Sequence, residues 1–410
     1  MTMAAGVSAV PADRTPEAVS GEPTILRALA RFPADPPSVT PAEARGLDWT
    51  GLLAAAERHA LVPLLARAAA GWGGLVPPDA AVAIATRARA IADRNLALTG
   101  RLMEILATFA EAGIPAVPWK GPLLALSAYG DLGLRQFGDL DIIVPRGRIA
   151  ESVGLLLERG YERFHPLPDW QESAYLERIG EVQLQAPGRR AFVEIHWTVV
   201  PTYYSRGFDA ESIWERLRVT SLGGVPVNDL ALDDLLLALA IHGTKHRWGR
   251  LAWIADVAAL IAAEPFLDWD RVVVRARREG INRILAIALR LAETIGGATI
   301  PPEVAANMAR DATAGRLAEW IDARLMEGGR GRDDRLFEGL ERFDLQVRER
   351  ARDRVALVWA ALSTPTRGDW DALPGARRLP IAYRAIRPLR LTRKYVPRLL
   401  ALPGRVRAVR

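Results

Sequence analysis

The stretch from Trp119 to Val144, WKGPLLALSAYGDLGLRQFGDLDIIV, constrains this chain more than any other part of it. Its end, Asp139-Leu140-Asp141 running into Ile142-Ile143-Val144, predicts a strand. Because side chains alternate between the faces of a strand, the two acids share one face and the apolar residues Leu140, Ile142 and Val144 share the other. Paired carboxylates repel each other unless a cation lies between them, and oxygen ligands of this kind suit Mg²⁺ better than zinc. The alternative is that these are ordinary turn or cap residues at a strand start.

A predicted turn precedes this strand in the chain. Residues 113–119 predict a short apolar strand, and Pro122 suits the first turn of a helix that Gly130 ends. Between them, Lys120-Gly121 predicts an anion site, because free N–H groups and the helix dipole point at the same place. Lys120 adds a positive charge for a phosphate. The alternative is a plain turn with a solvated lysine. Arg135, four residues before Asp139, has two interpretations: it pairs with an Asp or it reaches a phosphate.

The segment Ala191 to Trp197, AFVEIHW, supplies a third carboxylate. It alternates, with Val193, Ile195 and Trp197 on one face and Phe192, Glu194 and His196 on the other. A Glu in the middle of such a strand is rarely buried without a partner. Placed beside the Asp139/Asp141 strand, Glu194 completes a three-carboxylate cluster; the alternative is the exposed face of an edge strand. Residues 182–184 are predicted to pair with this strand as an antiparallel hairpin.

The order strand, Gly turn, helix, D-x-D strand and later acidic strand resembles the DNA polymerase beta-like nucleotidyltransferase superfamily. WKGPLLALSAYGDLGLRQFGDLDIIV, FVEIHW and HGTKHRWGRLAWIAD (residues 242–256) together resemble its bacterial branch of uncharacterised nucleotidyltransferases, over roughly residues 45–345. The resemblance implies that Asp139 and Asp141 are paired metal ligands, that Glu194 is the third acid, and that Gly121 lies in the nucleotide-binding turn. The chain departs from the superfamily in having Pro122 where a Ser usually follows the Gly, so Lys120 or Arg135 would replace the missing hydroxyl.

The resemblance implies a function and its partners. The expected activity is Mg²⁺-dependent transfer of a nucleoside monophosphate from an NTP, with ATP the first expectation, to an acceptor hydroxyl, with release of pyrophosphate. The predicted site is Asp139, Asp141 and Glu194 for metal and catalysis, with Lys120, Gly121, Arg135 and His196 binding the nucleotide. The acceptor stays open among a small molecule, a peptide, a protein side chain and an RNA end. The alternative is a catalytically silent module of the same fold that binds a nucleotide or a partner.

The remaining sequence indicates an α+β fold, with a small mixed-sheet nucleotidyltransferase core flanked by N-terminal and C-terminal helical regions. The 410 residues contain no cysteine, which excludes disulfides, cysteine-based zinc sites and thiol catalysis. Signal-peptide features and long apolar runs are missing from the sequence, so we expect a cytoplasmic protein. The predicted division is a disordered N-terminus (1–24), a helical region (25–112), the α/β core (113–228), a helical domain (229–345) and a basic C-terminal segment (346–410).

Two further features are left open by the sequence. His242 and His246 are four residues apart and therefore share a helix face, but the sequence HGTKH lacks the Glu of the HExxH zinc motif. The preferred interpretation is structural, with Asp256 capturing a histidine or arginine. Contact with the nucleotide or acceptor is the second interpretation, and a metal site is the third.

Residues 377–410 contain 11 Lys and Arg and no acidic residue, whereas the rest of the chain is slightly acidic. This basic arm predicts contact with nucleic acid or an anionic membrane surface, or else a partly packed, solvated arm.

Overall fold

A computed structural model of the chain describes residues 21–31, 37–164, 180–189, 191–199, 211–326, 335–337, 340–363 and 386–393. The helices are α1 (Glu22–Leu29), α2 (Pro41–Gly46), α3 (Trp49–His59), α4 (Val62–Trp72), α5 (Pro78–Glu111), α6 (Gly121–Tyr129), α7 (Ile149–Glu158), α8 (Leu232–Lys245), α9 (Leu251–Ala263), α10 (Trp269–Glu279), α11 (Asn282–Thr294), α12 (Pro302–Ala309), α13 (Ala312–Leu325), α14 (Arg342–Gln346), α15 (Ala351–Ser363) and α16 (386–393). The strands are β1 (Val117–Trp119), β2 (Asp139–Ile143), β3 (Glu162–Arg163), β4 (Glu181–Gln185), β5 (Phe192–His196), β6 (Arg218–Leu222), β7 (Val225–Asp229), β8 (Arg335–Phe337) and β9 (Leu340–Glu341).

The central sheet is mixed and has the strand order β1-β2-β5-β4-β3. Strands β2 and β5 are parallel and in register, so that Asp141 lies beside Glu194. Strand β4 continues the sheet antiparallel to β5, with Glu181 opposite His196. The predicted hairpin is confirmed, and so is the α+β class with a small mixed sheet and extensive helix.

Alternation along the strands divides the sheet into an apolar and a polar face. Leu140, Ile142, Val193 and Ile195 are fully or almost fully buried on the apolar face. They pack with Leu98, Leu102, Ile105 and Phe109 of α5 and with Val153 and Leu156 of α7. The opposite face carries the acids, and Ile143 on that side belongs to the core of the surrounding helices.

Helix α5 is the element common to both cores. It has 34 residues, which makes it about 50 Å long. Near its N-terminus, Ile84 belongs to the helical core, whereas its C-terminal half belongs to the sheet core. The N-terminal helices pack on the same helical core, and His59 Nδ1 accepts a hydrogen bond of 3.3 Å from the backbone N–H of Leu251 at the start of α9.

Two predicted segments fall largely outside the described residues. Of the segment predicted to be disordered, residues 1–20 are not described, and residues 22–24 form the first turn of α1, where Pro23 suits a helix start. Of the basic arm at 377–410, only 386–393 is described, and there Arg387 is buried and donates a hydrogen bond of 2.6 Å to the carbonyl of Ala361. Among the described helices, none combines the length and the apolarity that a membrane crossing needs.

Candidate active site

The polar face of the sheet brings Asp141, Glu194 and His196 together. One ligand atom from each of these side chains lies within 4.8 Å of the other two. Asp141 is buried, its Oδ2 lies 3.1 Å from Lys120 Nζ, and its Oδ1 lies 3.0 Å from His196 Nε2. Glu194 Oε2 lies 3.5 Å from the same imidazole nitrogen. The predicted approach of Glu194 to the D-x-D strand is therefore what the register of β2 and β5 produces.

Strand β4 adds a fourth acid that sequence reasoning missed. Glu181 is buried, and its Oε2 lies 3.5 Å from His196 Nδ1. Gln183 Nε2 donates to Glu194 Oε1 at 2.9 Å and to Glu181 Oε1 at 3.1 Å, so it holds both acids in place. The signal was the alternation of EVQLQ, because an in-register hairpin turns the polar side of β4 to the same face as Glu194.

Asp139 lies on the same strand and face as Asp141 but outside the compact trio. It is half-buried, and it makes no ion pair with any residue the structure describes. Burial and the charges of Asp141 and Glu194 raise the pKa of Asp139, and Lys120 and Arg135 only partly oppose them. A cation bound nearby would stabilise the ionised form of such a carboxyl group.

Lys120 and Gly121 form the turn between β1 and α6. Lys120 has a φ of +58° and Gly121 a φ of +43°. A Cβ on Gly121 would lie 4.0 Å from the carbonyl oxygen of Asp139, so the turn runs beside the start of β2. The Lys120 ammonium lies 4.2 Å from the centroid of the Trp119 ring. Non-glycine residues with positive φ are strained, and such strain concentrates at functional sites.

Arg135 pairs with an acid, the first of its two interpretations. Its Nε and Nη2 donate to Asp256 Oδ1 and Oδ2 at 2.8 and 2.9 Å, and Tyr129 Oη donates to Asp256 Oδ1 at 2.8 Å. Asp256 captures an arginine, which was the preferred structural interpretation of that residue. The Nη1 of Arg135 has no hydrogen-bond partner within the described chain.

A buried amide on α5, Asn95, holds the link between α6 and β2. Its Nδ2 donates to the carbonyls of Leu132 and Arg135 at 2.7 and 2.8 Å. Arg94 Nη2 donates to the carbonyl of Gly138 at 3.1 Å, one residue before Asp139. These contacts fix the chain that leads into the D-x-D strand, and sequence reasoning missed them because α5 is remote in the sequence.

Opposite charges set the protonation of the pocket. Burial favours the neutral forms, but the acids around Lys120 raise its pKa, and Lys120 and His196 lower the pKa of Asp141. Burial also opposes a charge on His196, yet hydrogen bonds to Asp141 and Glu194 and the charge of Glu181 raise its pKa to about 10. We therefore assign two positive charges, on Lys120 and His196, to the neighbourhood of Asp141.

This protonation predicts a pH dependence in the metal-free protein. Because the pKa of His196 is about 10 when folded and its ordinary value is 6.5, the imidazolium stabilises the fold fully below pH 6.5 and loses this effect as the pH rises to 10. The wild type should therefore lose its stability advantage over His196→Gln between these values in paired denaturant titrations. An advantage that grows with pH in this window would show that His196 is neutral.

The donors fit a divalent cation. Four carboxyl groups, from Asp139, Asp141, Glu181 and Glu194, lie around two positively charged side chains, Lys120 and His196. When all four are ionised, the pocket has an excess of two negative charges, which a divalent cation would balance. His196 Nε2 already lies 3.0 Å from Asp141 Oδ1, a contact that a metal ion on this nitrogen would have to displace. Oxygen donors remain, and these are what Mg²⁺ prefers.

The C-terminal end of α8 places two imidazoles beside the pocket, His242 in its last turn and His246 at its C-cap. The ring centroids of His242 and His246 are 4.7 Å apart, and His242 lies 6.1 Å from Trp119. Burial and the charge of Lys120 hold the pKa of His242 well below its ordinary value. Desolvation of the ring by its neighbours and the charges of Lys245 and Lys120 lower the pKa of His246 to about 4, although the residue keeps an exposed surface.

The side chain of Trp248, in the loop after α8, packs against Gly243 of that helix. Its indole is fully buried, and a Cβ at Gly243 would lie 2.5 Å from that ring. We expect Gly243→Ala to destabilise the protein by about 1–3 kcal/mol through overpacking. Gly100→Ala is the matched control, since it lies inside α5 with no atom within 4 Å of a new Cβ, and it should stabilise by about 0.5–1 kcal/mol. Equal unfolding midpoints for the two variants would contradict close packing of Trp248 on Gly243.

Comparison with known protein families shows which family this chain belongs to. A family model described as an uncharacterised nucleotidyltransferase matches residues 45–297, well over half of the chain. The chain therefore belongs to this nucleotidyltransferase family. The match begins where the sequence resemblance begins and ends at residue 297 rather than near 345.

Two solved structures are similar to part of this chain. A crystal structure of ANT(2'')-Ia in complex with adenylyl-2''-tobramycin is 15% identical, with 44% of this chain and 96% of that chain covered and a TM-score of 0.29. A solution structure of the antibiotic-resistance factor ANT(2'')-Ia is 13% identical, with 55% and 99% covered and a TM-score of 0.27. At such scores neither likeness carries an inference about this chain. No curated protein matches it.

Proposed function

We propose that this nucleotidyltransferase moves a nucleoside monophosphate from an NTP, ATP being the first to test, to an acceptor hydroxyl in a Mg²⁺-dependent reaction. The observation that carries the proposal is the gathering of Asp141 and Glu194 on one face of the sheet, with Asp139 beside them and the Lys120-Gly121 turn at the start of β2. The surplus of carboxyl groups in the pocket supports a bound divalent ion.

Each residue has a role in the proposed reaction. The acceptor oxygen attacks the α-phosphorus, the bond from that phosphorus to the bridging oxygen breaks, and pyrophosphate leaves. Glu194 takes the proton of the attacking hydroxyl. Lys120 and the N–H of Gly121 hold the β- and γ-phosphates. Mg²⁺ held by Asp139, Asp141 and Glu194 would neutralise charge on the attacking and leaving oxygens.

Arg135 and His196 are assigned less direct roles. Since two nitrogens of Arg135 already bind Asp256, only its Nη1 is left to meet a phosphate. His196 orients Asp141 and Glu194 rather than contacting the nucleotide, because its ring nitrogens face carboxylates. Of these two residues, His196 therefore acts through the acids of the pocket, and Arg135 is held mainly by Asp256.

Positional labelling tests the proposal. The protein is incubated with each NTP and Mg²⁺, with and without cell extract, using label at either the α- or the γ-phosphate. Label from the α-position should appear on an acceptor and label from the γ-position in pyrophosphate, and a chelator should stop both. Transfer of the γ-label to an acceptor would contradict nucleotidyl transfer by this site.

Two observations favour a second candidate, a catalytically silent nucleotide-binding module. The ammonium of Lys120 already lies on Asp141, and Pro122 stands where the superfamily usually has a Ser. This candidate predicts that the protein binds NTP with Mg²⁺ but releases no pyrophosphate with any acceptor. Pyrophosphate release that depends on Asp139 would eliminate it.

A further inference from the structure

Four rings lie in succession beside the acid pocket. The ring of Trp119 is 6.1 Å from His242, His242 is 4.7 Å from His246, and His246 is 5.1 Å from Trp253. The rings of His246 and Trp253 are tilted by only 32°, so their faces are turned towards each other. His246 is exposed, whereas Trp253 is half-buried against the helical core. His246 is therefore the exposed ring of this pair, and Trp253 supports it from the core side.

The loop that carries His246 is held in a strained shape. Arg247 and Trp248 follow it with φ values of +52° and +51°, which non-glycine residues rarely adopt. The Trp248 indole N–H donates to Thr244 Oγ1 at 3.2 Å, and Arg247 Nη2 lies 2.8 Å from Glu341 Oε1. Strain of this kind persists only where the surroundings impose it, and it is common at ligand sites.

The rings adjoin the proposed phosphate site. Trp119 directly precedes Lys120, and its ring lies 6.4 Å from that of His196. The charges of Lys120 and Glu194 both act on His246. A ligand whose phosphates lie at the Lys120-Gly121 turn would thus have its remaining part close to these rings.

The cluster also contains an unpartnered donor. The indole Nε1 of Trp119 has no hydrogen-bond partner among the described residues, although only 4% of this residue is exposed. Buried donors in folded proteins are normally paired, so such a group is expected to find its acceptor in a ligand or in water. A nucleobase offers both a planar ring to stack and ring nitrogens and carbonyls that accept hydrogen bonds.

We propose that the His246–Trp253 pair is the nucleobase subsite, with the base of the NTP stacked against the exposed ring of His246. This inference rests on the proposed function and deepens it by placing the base on the helical region, away from the sheet that holds the acids. Stacking on π-faces tolerates every base, so the subsite selects a nucleotide over a bare polyphosphate rather than one base over another.

Equilibrium binding of a non-reactive nucleotide tests the subsite. The probe is α,β-methylene ATP with Mg²⁺, measured by calorimetry against inorganic tripolyphosphate with Mg²⁺. We expect His246→Ala and Trp253→Ala to weaken nucleotide binding about tenfold or more and to leave tripolyphosphate binding unchanged. His246→Phe keeps a ring and should bind the nucleotide within about threefold of wild type. Trp359→Ala, which removes an exposed tryptophan from α15, is the control and should bind like wild type.

The outcomes separate this inference from the proposed function. If a folded His246→Ala protein binds the nucleotide as tightly as wild type, or loses tripolyphosphate binding by the same factor, the base does not stack there and the inference is overturned. Label transfer would then still support the proposed function. A wild-type protein that binds neither probe would overturn both. Thermal unfolding of each variant establishes that it is folded, and His246→Phe supplies the test should His246→Ala not fold.

Discussion

Replacing Asp139 with Asn should lower nucleotidyl transfer by roughly a thousandfold, within the range that a positioned catalytic group contributes. The same substitution should leave the unfolding midpoint unchanged or slightly raised. Because burial and neighbouring acids raise the pKa of Asp139 in the folded protein, its ionised form destabilises the fold above the ordinary pKa of 3.8. A neutral Asn removes that penalty. Pyrophosphate release at saturating NTP and Mg²⁺, with a denaturant titration in parallel, measures both effects.

Asp141→Asn is the informative comparison. It should lose activity to a similar extent, but it should also destabilise the protein, because it leaves the charges of Lys120 and His196 buried without their main partner. If the Asp139 variant loses as much stability as the Asp141 variant, then Asp139 is also paired with a positive charge in the folded protein. Full activity in Asp139→Asn would remove that residue from the catalytic site.

The largest expected loss of stability comes from Asp256→Ala. Asp256 is buried, and it accepts hydrogen bonds from Nε and Nη2 of Arg135 and from the hydroxyl of Tyr129. Its removal leaves a buried guanidinium unpaired, which should destabilise the protein by about 3–5 kcal/mol. The measurement is the free energy of unfolding from urea titrations at neutral pH.

Two variants separate the ion pair from the rest of this contact. Tyr129→Phe removes one hydrogen bond and should cost only about 1 kcal/mol. The double variant Arg135→Met with Asp256→Leu should recover most of the loss, because apolar residues of similar volume often replace a buried pair without penalty. If Asp256→Ala is no more destabilising than Tyr129→Phe, then the Arg135 charge is compensated in another way.

Sequence patterns were sufficient to predict the strands that carry the acids. Alternation in DLDIIV and FVEIH predicts which side chains share a face, and both strands have the predicted faces because the apolar face must be buried against α5 and α7. The hairpin of β4 with β5 was an equally local signal. These features depend on residues a few positions apart.

Contacts between remote segments were beyond such reasoning. Arg135 and Asp256 are 121 residues apart, and nothing in the periodicity of either segment selects one partner over another. Asn95 reads as one polar residue in a long helix, yet it caps two carbonyls of the link before β2. The placement of Lys120 on Asp141 likewise depends on the pairing of β1 with β2, which puts Trp119 opposite Asp141, and on the positive φ of Lys120 just beyond the strand.

Binding of Mn²⁺, followed by electron paramagnetic resonance in the presence of α,β-methylene ATP, tests the central claim that these acids form one cation site. The account predicts that wild type binds the ion and that Asp139→Asn, Asp141→Asn and Glu194→Gln each weaken its binding, while Trp359→Ala does not. Equal Mn²⁺ affinity in wild type and all three acid variants would contradict the account.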